Sequence, residues 1–317
     1  MANVAGTSSA DTITEVFTSI GVVGIPGVDS DIINAGDGDD FISGGAGNDT
    51  INGGTGIDTA AYTLATAAVT VNLTSGTAAG GAGSDVLLSI ENIVGSSFAD
   101  TITGNAANNN LRGGQGDDRL DGGTGNDIID GGTGIDTAAF TSAIGAVTVN
   151  LTSGTAVGGA GSDVLLSIEN VVGSSFADTI TGNANNNTLR GGAGSDLLAG
   201  AGGNDIFDYS TLSDSLLANY DIITDYSLGD ILDRPGSSST LLNLSIGIAA
   251  GLSAAQVGSI LNPFSFTSSS SVAFTSIGFS GTFIAFNDAI AGFNSATDAI
   301  VHLINYNINN TNFATIA

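Results

Sequence analysis

A nine-residue period constrains the fold of this chain more than any other feature of its sequence. Each unit has glycines clustered at its first, second and fourth positions, an acid or amide at its sixth, and an aliphatic or aromatic residue two positions later. An α-helix repeats about every 3.6 residues, so this period predicts a turn of six residues followed by a strand of three. The sixth-position residues are Asp31, Asp40, Asp49 and Asp58; Asp100, Asn109, Asp118, Asp127 and Asp136; and Asp178, Asn187, Asp196 and Asp205.

Two such units make one coil, and no coil can bury its apolar residues alone, so the coils must stack. We therefore predict an all-β fold: a parallel β-roll, or β-solenoid, of glycine-rich nonapeptide repeats with a small β-rich C-terminal capping module. The predicted divisions are an N-terminal edge at residues 1–25, the roll at 26–208 with repeat blocks at 26–61, 95–139 and 173–208, and the capping module at 209–317.

The units GGAGNDTIN at 44–52 and GGTGNDIID at 122–130 resemble the nonapeptide calcium repeat of the RTX, or hemolysin-type, secreted proteins. In a roll, the sixth-position residues of alternate units lie one strand spacing apart, about 4.8 Å. An ion between them gains two carboxylates and carbonyl oxygens of the turn, a ligand set that suits Ca²⁺. The resemblance implies the same arrangement.

We expect about five to seven calcium ions per chain. The pairs that contain asparagine are weaker because an amide oxygen carries no charge. The strong pairs are Asp31 with Asp49, Asp40 with Asp58, Asp100 with Asp118, Asp118 with Asp136, and Asp178 with Asp196; the weaker pairs are Asn109 with Asp127 and Asn187 with Asp205.

A simpler interpretation is that aspartate and asparagine only cap glycine-rich turns by local hydrogen bonds. For one unit this interpretation is the better one. For a run in fixed phase we expect the acids to be solvated and to bind ions, because their carboxylates would stack at one strand spacing with no lysine and only four arginines to neutralise them. The repulsion favours bound cations.

A longer repeat joins the blocks: the segment from Ala68 recurs from Ala146, an offset of 78 residues. The segments at 62–94 and 140–172 alternate apolar and polar residues, which predicts strands that continue the solenoid. Because 78 is four coils of 18 residues plus six, we expect a loop, the stretch TSGTAAGGAGSD, to absorb the remainder.

Composition excludes several classes of function. The formal net charge is -27, which argues against nucleic acid or an anionic membrane as partners. There is no cysteine and a single histidine, so thiolate and multi-histidine metal sites are excluded. His302 lies in an alternating apolar strand, and no nucleophile motif surrounds any serine. We expect no enzymatic activity.

The C-terminal third lacks the nonapeptide phase. Its segment DIITDYSLGDILD (221–233) resembles the strand-turn-strand that closes RTX rolls, and Asp221, Asp225 and Asp230 are candidates for another ion. Residues 252–262 are predicted to form a short helix, and SVAFTSIGFSGTFIAFNDA a hairpin. The ending from Gly281 resembles the bluetail domain of cyanobacterial surface proteins, which implies a cell-surface or extracellular protein.

The start of the sequence has neither a basic nor an apolar leader region, and residues 241–261 are too polar for a good membrane span. The RTX resemblance implies export by a type I secretion system.

We expect a secreted calcium-binding structural protein that assembles with copies of itself as a surface layer, sheath or filament, since little of the chain remains for an enzyme domain. The alternatives are a calcium-dependent adhesin for polysaccharide or ice, and an RTX-type secreted hydrolase.

Overall fold

The computed structural model describes residues 3–14, 26–209, 211–215, 217–227, 229–233, 271–274, 282–286, 299–303 and 315–316. The first fifteen strands are β1 (Asn3–Ala5), β2 (Thr12–Ile13), β3 (Ile32–Asp37), β4 (Phe41–Ile42), β5 (Thr50–Thr55), β6 (Thr59–Ala61), β7 (Val69–Asn72), β8 (Thr77–Gly80), β9 (Gly83–Leu88), β10 (Asn92–Val94), β11 (Thr101–Asn105), β12 (Asn110–Gln115), β13 (Arg119–Gly123), β14 (Ile128–Thr133) and β15 (Thr137–Ala139).

The later strands are β16 (Val147–Asn150), β17 (Thr155–Gly158), β18 (Gly161–Leu166), β19 (Asn170–Val172), β20 (Thr179–Thr181), β21 (Thr188–Arg190), β22 (Leu197–Ala199), β23 (Ile206–Asp208), β24 (Asp221–Ile223), β25 (Ile231–Asp233), β26 (Ser271–Phe274), β27 (Thr282–Phe286), β28 (Ala299–Leu303) and β29 (Thr315–Ile316). Two short 3₁₀ turns, Leu212–Ser215 and Leu217–Asn219, precede β24. In the described part of the chain no helix is long and apolar enough to cross a membrane.

The chain forms two compact units, the first of residues 1–144 with 154–168 and the second of 145–153 with 169–317. In the first unit the strands alternate between two sheets, in the orders β1-β3-β5-β9-β8-β7-β11-β13-β15 and β2-β4-β6-β10-β12-β14-β18-β17. Successive coils pair in parallel with a shift of 18 residues, as Ile33 with Ile51 and Ile102 with Leu120. The predicted all-β parallel roll is confirmed.

The core of the roll is built from the apolar residue two positions after each acid. Ile33, Ile42, Ile102 and Leu120 are fully buried because the middle residue of each short strand points inward while its neighbours point outward. One inward residue per unit makes a narrow core, so its stability depends on continuous stacking.

The second unit repeats this arrangement in two further groups of strands, β19-β21-β23-β25-β29 and β16-β20-β22-β24-β28-β27-β26. The strand-turn-strand predicted at 221–233 forms β24 and β25, which pair with β22 and β23 respectively. The predicted hairpin is also confirmed, since β26 and β27 are antiparallel. The helix predicted at 252–262 lies outside the described residues.

The prediction that TSGTAAGGAGSD forms a loop is wrong. Strands β7, β8 and β9 form an antiparallel meander, in which Thr70 faces Ala79 and Ala78 faces Asp85. Strand β9 then pairs in parallel with β5, with Leu87 beside Ile51. The reason lies in GGAGSDVLL itself, which is a nonapeptide unit: Asp85 follows Asp49 by 36 residues, four full periods. The reversed strand β8 absorbs extra residues, so Asp85 stays in phase with Asp49.

Candidate metal centre

All thirteen sixth-position residues lie inside the turns and are at most 3% exposed. The expectation of solvated carboxylates is therefore wrong. The turns of adjacent coils close over each acid, since each coil sits one strand spacing from the next. A buried carboxylate without a counter-charge is costly, so each of these side chains needs compensating partners.

The structure brings together each of the seven predicted pairs through one recurring hydrogen bond. The backbone N–H of the earlier residue donates to Oδ1 of the later one, which fixes the side chain against the preceding coil. The N···Oδ1 distances are 2.7 Å for Asp31–Asp49, 2.8 Å for Asp40–Asp58, 2.7 Å for Asp100–Asp118, 2.8 Å for Asp118–Asp136, 2.7 Å for Asp178–Asp196, 2.8 Å for Asn109–Asp127 and 2.9 Å for Asn187–Asp205.

The second carboxylate oxygen behaves differently from the first. In a group of sixth-position aspartates, Oδ2 is buried and makes no hydrogen bond within the described part of the chain. An oxygen that carries negative charge and lacks a donor is an expected ligand for a hard cation. The group consists of Asp40, Asp49, Asp58, Asp118, Asp127 and Asp196.

The first glycine of a unit leaves space for further oxygen ligands. At Gly113, a Cβ would overlap Oδ2 of Asp118 and approach the carbonyl oxygen of Gly131 in the next coil. At Gly53 the corresponding atoms are Oδ2 of Asp58 and the carbonyl oxygen of Ser89. Carboxylate and carbonyl oxygens therefore face the same small space, which fits the donor set that Ca²⁺ prefers.

The second and fourth glycines have a conformational role. Gly132 and Gly134 adopt φ angles of 100° and 146°, a region that residues with a Cβ rarely enter. A Cβ at Gly132 would also overlap the carbonyl oxygen of Gly114 in the preceding coil. The glycine pattern is thus set by close coil stacking and by the turn.

Burial raises the pKa values of these carboxyl groups. Desolvation is the largest cause, and the charges of neighbouring carboxylates add to it. The pKa of Asp118 and that of Asp196 rise to about 7, and the pKa values of Asp40, Asp49 and Asp127 rise to about 6. The turns therefore resist full ionisation in the absence of positive charge.

Nearby arginines do not supply that charge. Arg112 pairs with Asp130 at 3.8 Å, and Arg190 pairs with Asp214 at 2.9 Å. Neither acid belongs to the thirteen candidates. No cluster of three His, Cys, Asp or Glu side chains suited to a metal occurs among the described residues, so the remaining ligands of an ion would be backbone carbonyl oxygens.

The recurring hydrogen bonds from N–H to Oδ1 link the acids of successive coils into rows, which we call ladders. Several residues of these ladders were missing from the predicted set. Oδ1 of Asp85 accepts from the N–H of Asp49 at 2.9 Å, and Asp163 does the same for Asp127 at 3.0 Å. The GGAGSD motif, in phase with the repeat, would have revealed both. Glu91 accepts from the N–H of Asp58 at 2.9 Å, and it had no signal because it falls outside the nonapeptide pattern.

The candidate acids of the C-terminal third fall into two groups according to the N–H groups from which they accept. Asp221 and Asp230 continue the ladders, accepting from the N–H groups of Asp196 at 2.9 Å and Asp205 at 3.0 Å. Burial raises the pKa of Asp221 to about 9. The carboxylate of Asp225 instead accepts from the N–H groups of Gly200 and Ala201.

Local capping, the simpler interpretation, applies to a minority of the turns. Oδ2 of Asp31 accepts from Gly27, Oδ2 of Asp100 from Ser96, and Oδ2 of Asp178 from Ser174. In each case the donor is the backbone N–H four residues earlier. These turns lack the full glycine pattern.

Comparison with known proteins identifies RTX calcium-binding nonapeptide repeats in four copies, at residues 27–60, 80–118, 103–138 and 172–207. These repeats bind Ca²⁺. All thirteen sixth-position candidates and Asp85 lie inside the matched residues. No curated protein matches the chain.

Proposed function

We propose that this chain, which carries RTX calcium-binding repeats, is a secreted structural protein that folds when calcium binds and then assembles with copies of itself. The observation that carries the proposal is the set of buried Oδ2 atoms that make no hydrogen bond within the described part of the chain; two of them, those of Asp58 and Asp118, share the space beside a glycine with a backbone carbonyl oxygen. While its carboxylate is ionised, such a turn is stable only with a cation close by.

The charge of the chain supports folding outside the cell. With 31 acids and four arginines, the chain repels itself where calcium is scarce, as in the cytoplasm. An extended chain suits a narrow type I exporter. Where calcium is abundant, binding free energy becomes folding free energy, so the coils form after export.

A calcium titration of the metal-free protein, followed by circular dichroism, tests the folding step. We expect a largely disordered spectrum to become a β spectrum at millimolar calcium and to revert with chelator. Native mass spectrometry of the folded form should count about five to seven ions. A β spectrum that chelator leaves unchanged would contradict the proposal.

Exposed apolar residues on the outer faces support self-assembly. On the first unit, Ile128 and Val164 are neighbours on adjacent strands, and Leu166 lies two residues further along β18; all three are more than 40% exposed. Such a strip beside acidic turns favours contact with another copy, with calcium bridging the acids. Electron microscopy and light scattering of the calcium-bound protein test this step, which fails if the protein stays monomeric at high concentration.

A second candidate function is adhesion to polysaccharide or ice. Thr70 and Thr101 are both exposed and lie side by side on β7 and β11, with Thr77 exposed on β8. Ordered hydroxyls on a sheet face are suited to bind sugars or ordered water. Binding to a glycan array that calcium removal abolishes would favour adhesion over a purely structural role.

A further inference from the structure

Two coils provide hydrogen-bond partners for the sixth-position side chains of their turns, unlike the coils beside them. They are Gly95–Arg112 in the first unit and Gly173–Arg190 in the second, with the sequences GSSFADTITGNAANNNLR and GSSFADTITGNANNNTLR. We call them the serine-asparagine coils. Each contains one turn that ends in aspartate and one that ends in asparagine.

In the aspartate turn, a serine surrounds the carboxylate with donors. Ser96 donates its N–H to Oδ2 of Asp100 at 2.5 Å and its hydroxyl to Oδ1 at 2.8 Å. Ser174 and Asp178 repeat these contacts at 2.6 Å and 2.8 Å. Both serines are buried. In units that follow the full glycine pattern, such as the one that contains Asp118, Oδ2 has no such donor.

In the asparagine turn, the amide group replaces both the carboxylate and a cation. Oδ1 of Asn109 accepts from the N–H of Asn105 at 2.9 Å, while its Nδ2 donates to the carbonyl oxygen of Glu91 at 2.6 Å. Asn187 makes the same bonds, with Nδ2 at 2.7 Å from the carbonyl oxygen of Glu169. A donor therefore points at a backbone carbonyl where an ion would otherwise bind, and one negative charge is absent.

We propose that the serine-asparagine coils, together with the strands that stack on them, keep their β conformation without calcium and act as templates onto which the calcium-dependent coils add. The inference rests on the calcium-dependent folding proposed above. Strands β7 and β10 stack on the first coil, and β16 and β19 on the second, so each template has neighbours within its own unit. Folding then spreads outward from two nuclei as calcium binds.

Hydrogen exchange of the full chain, with and without calcium, tests the proposal. In metal-free protein, amides of residues 101–112 and 179–190 should exchange at least about tenfold more slowly than those of 118–136 and 196–208. Calcium should slow all four segments. Uniformly fast exchange in metal-free protein that calcium nevertheless folds would overturn this inference and leave the proposed function standing. Absence of any calcium effect would overturn the proposed function instead.

The double variant Asn109→Asp with Asn187→Asp gives the sharper test. It removes both amide donors and adds two carboxylates, so metal-free protection of the two coils should fall to the level of their neighbours. The calcium-bound form should hold about two more ions by native mass spectrometry. An unchanged ion count together with unchanged exchange would contradict the assignment.

Asn108→Asp with Asn186→Asp is the matched control. These exposed neighbours add the same charge, and their Oδ1 atoms accept from the N–H groups of Asn126 and Asn204, a role that a carboxylate retains. The control variant should keep the wild-type ion count and the metal-free protection. If it lost protection as fully as the first variant, charge alone would explain the effect and the template role would fall.

Discussion

At the scale of single residues, glycine and aspartate depend on each other. The first glycine of a unit makes room for the carboxylate of its own unit, and the second permits the next coil to approach. Ala35 marks a variation, since it holds the first position of the unit that contains Asp40. The second position is more restrictive because its backbone has a positive φ and the atom in its way is a backbone carbonyl.

The variant Gly132→Ala should destabilise the calcium-bound protein by about 1–3 kcal/mol, because a Cβ forces a strained φ and overlaps the carbonyl oxygen of Gly114. Urea unfolding in excess calcium measures the effect. Gly202→Ala is the control, since its nearest neighbour atom would lie 3.7 Å from the new Cβ. Equal stability of the two variants would show that this glycine is dispensable.

The pH dependence of the metal-free chain follows from the raised pKa values. The carboxyl groups of Asp118 and Asp196 have pKa values of about 7 when folded, against an ordinary value of 3.8. The folded chain thus binds protons more tightly than the unfolded one between these values, so its stability is highest at low pH and falls as pH rises to about 7. Circular dichroism of dialysed metal-free protein should show more β structure at about pH 5 than at pH 8. The opposite trend would contradict the burial of these groups.

At the scale of elements, the segments between repeat blocks are parts of the roll. The meander β7-β8-β9 returns the chain to its sheet, and Asp85 on β9 supplies the acceptor that Asp49 would otherwise lack. The inserted strands therefore extend the ladder of the first block beyond Asp49.

Replacing Asp85 with alanine should cost the calcium-bound protein about 1–3 kcal/mol, because the buried N–H of Asp49 loses its acceptor. Asp37→Ala removes the same charge from an exposed site, where Asp37 accepts only a hydroxyl of Thr55, and should change stability by less than about 0.5 kcal/mol. Urea unfolding of both variants in calcium measures the difference. A cost for Asp37→Ala as large as that for Asp85→Ala would argue against the ladder.

At the scale of the whole molecule, the net charge of -27 is distributed between exposed acids and the buried turn carboxylates. Salt screens exposed charges but acts weakly on groups that water does not reach. The proposed requirement for calcium is therefore a requirement for direct ligation rather than for ionic strength.

Sodium chloride at about 1 M should leave the metal-free chain largely unfolded, although the screening length there is only about 3 Å. Calcium at millimolar concentration should fold it fully. Magnesium provides a further control, because it keeps its water ligands and prefers a smaller site, so it should fold the chain less completely. Circular dichroism in the three solutions compares the effects, and folding by sodium chloride as complete as folding by calcium would exclude direct ligation.

The sequence by itself determined the roll, its inward residues and its seven pairs of turns, because a strict nine-residue period permits few ways to bury one apolar residue per unit. Only the tertiary structure decided that the acids are buried, that Asp85, Asp163 and Glu91 join the ladders, and that Nδ2 of Asn109 donates to the carbonyl oxygen of Glu91. These features depend on which backbone groups meet across adjacent coils. A local pattern does not specify that information, since the donors and acceptors lie 18 or more residues apart.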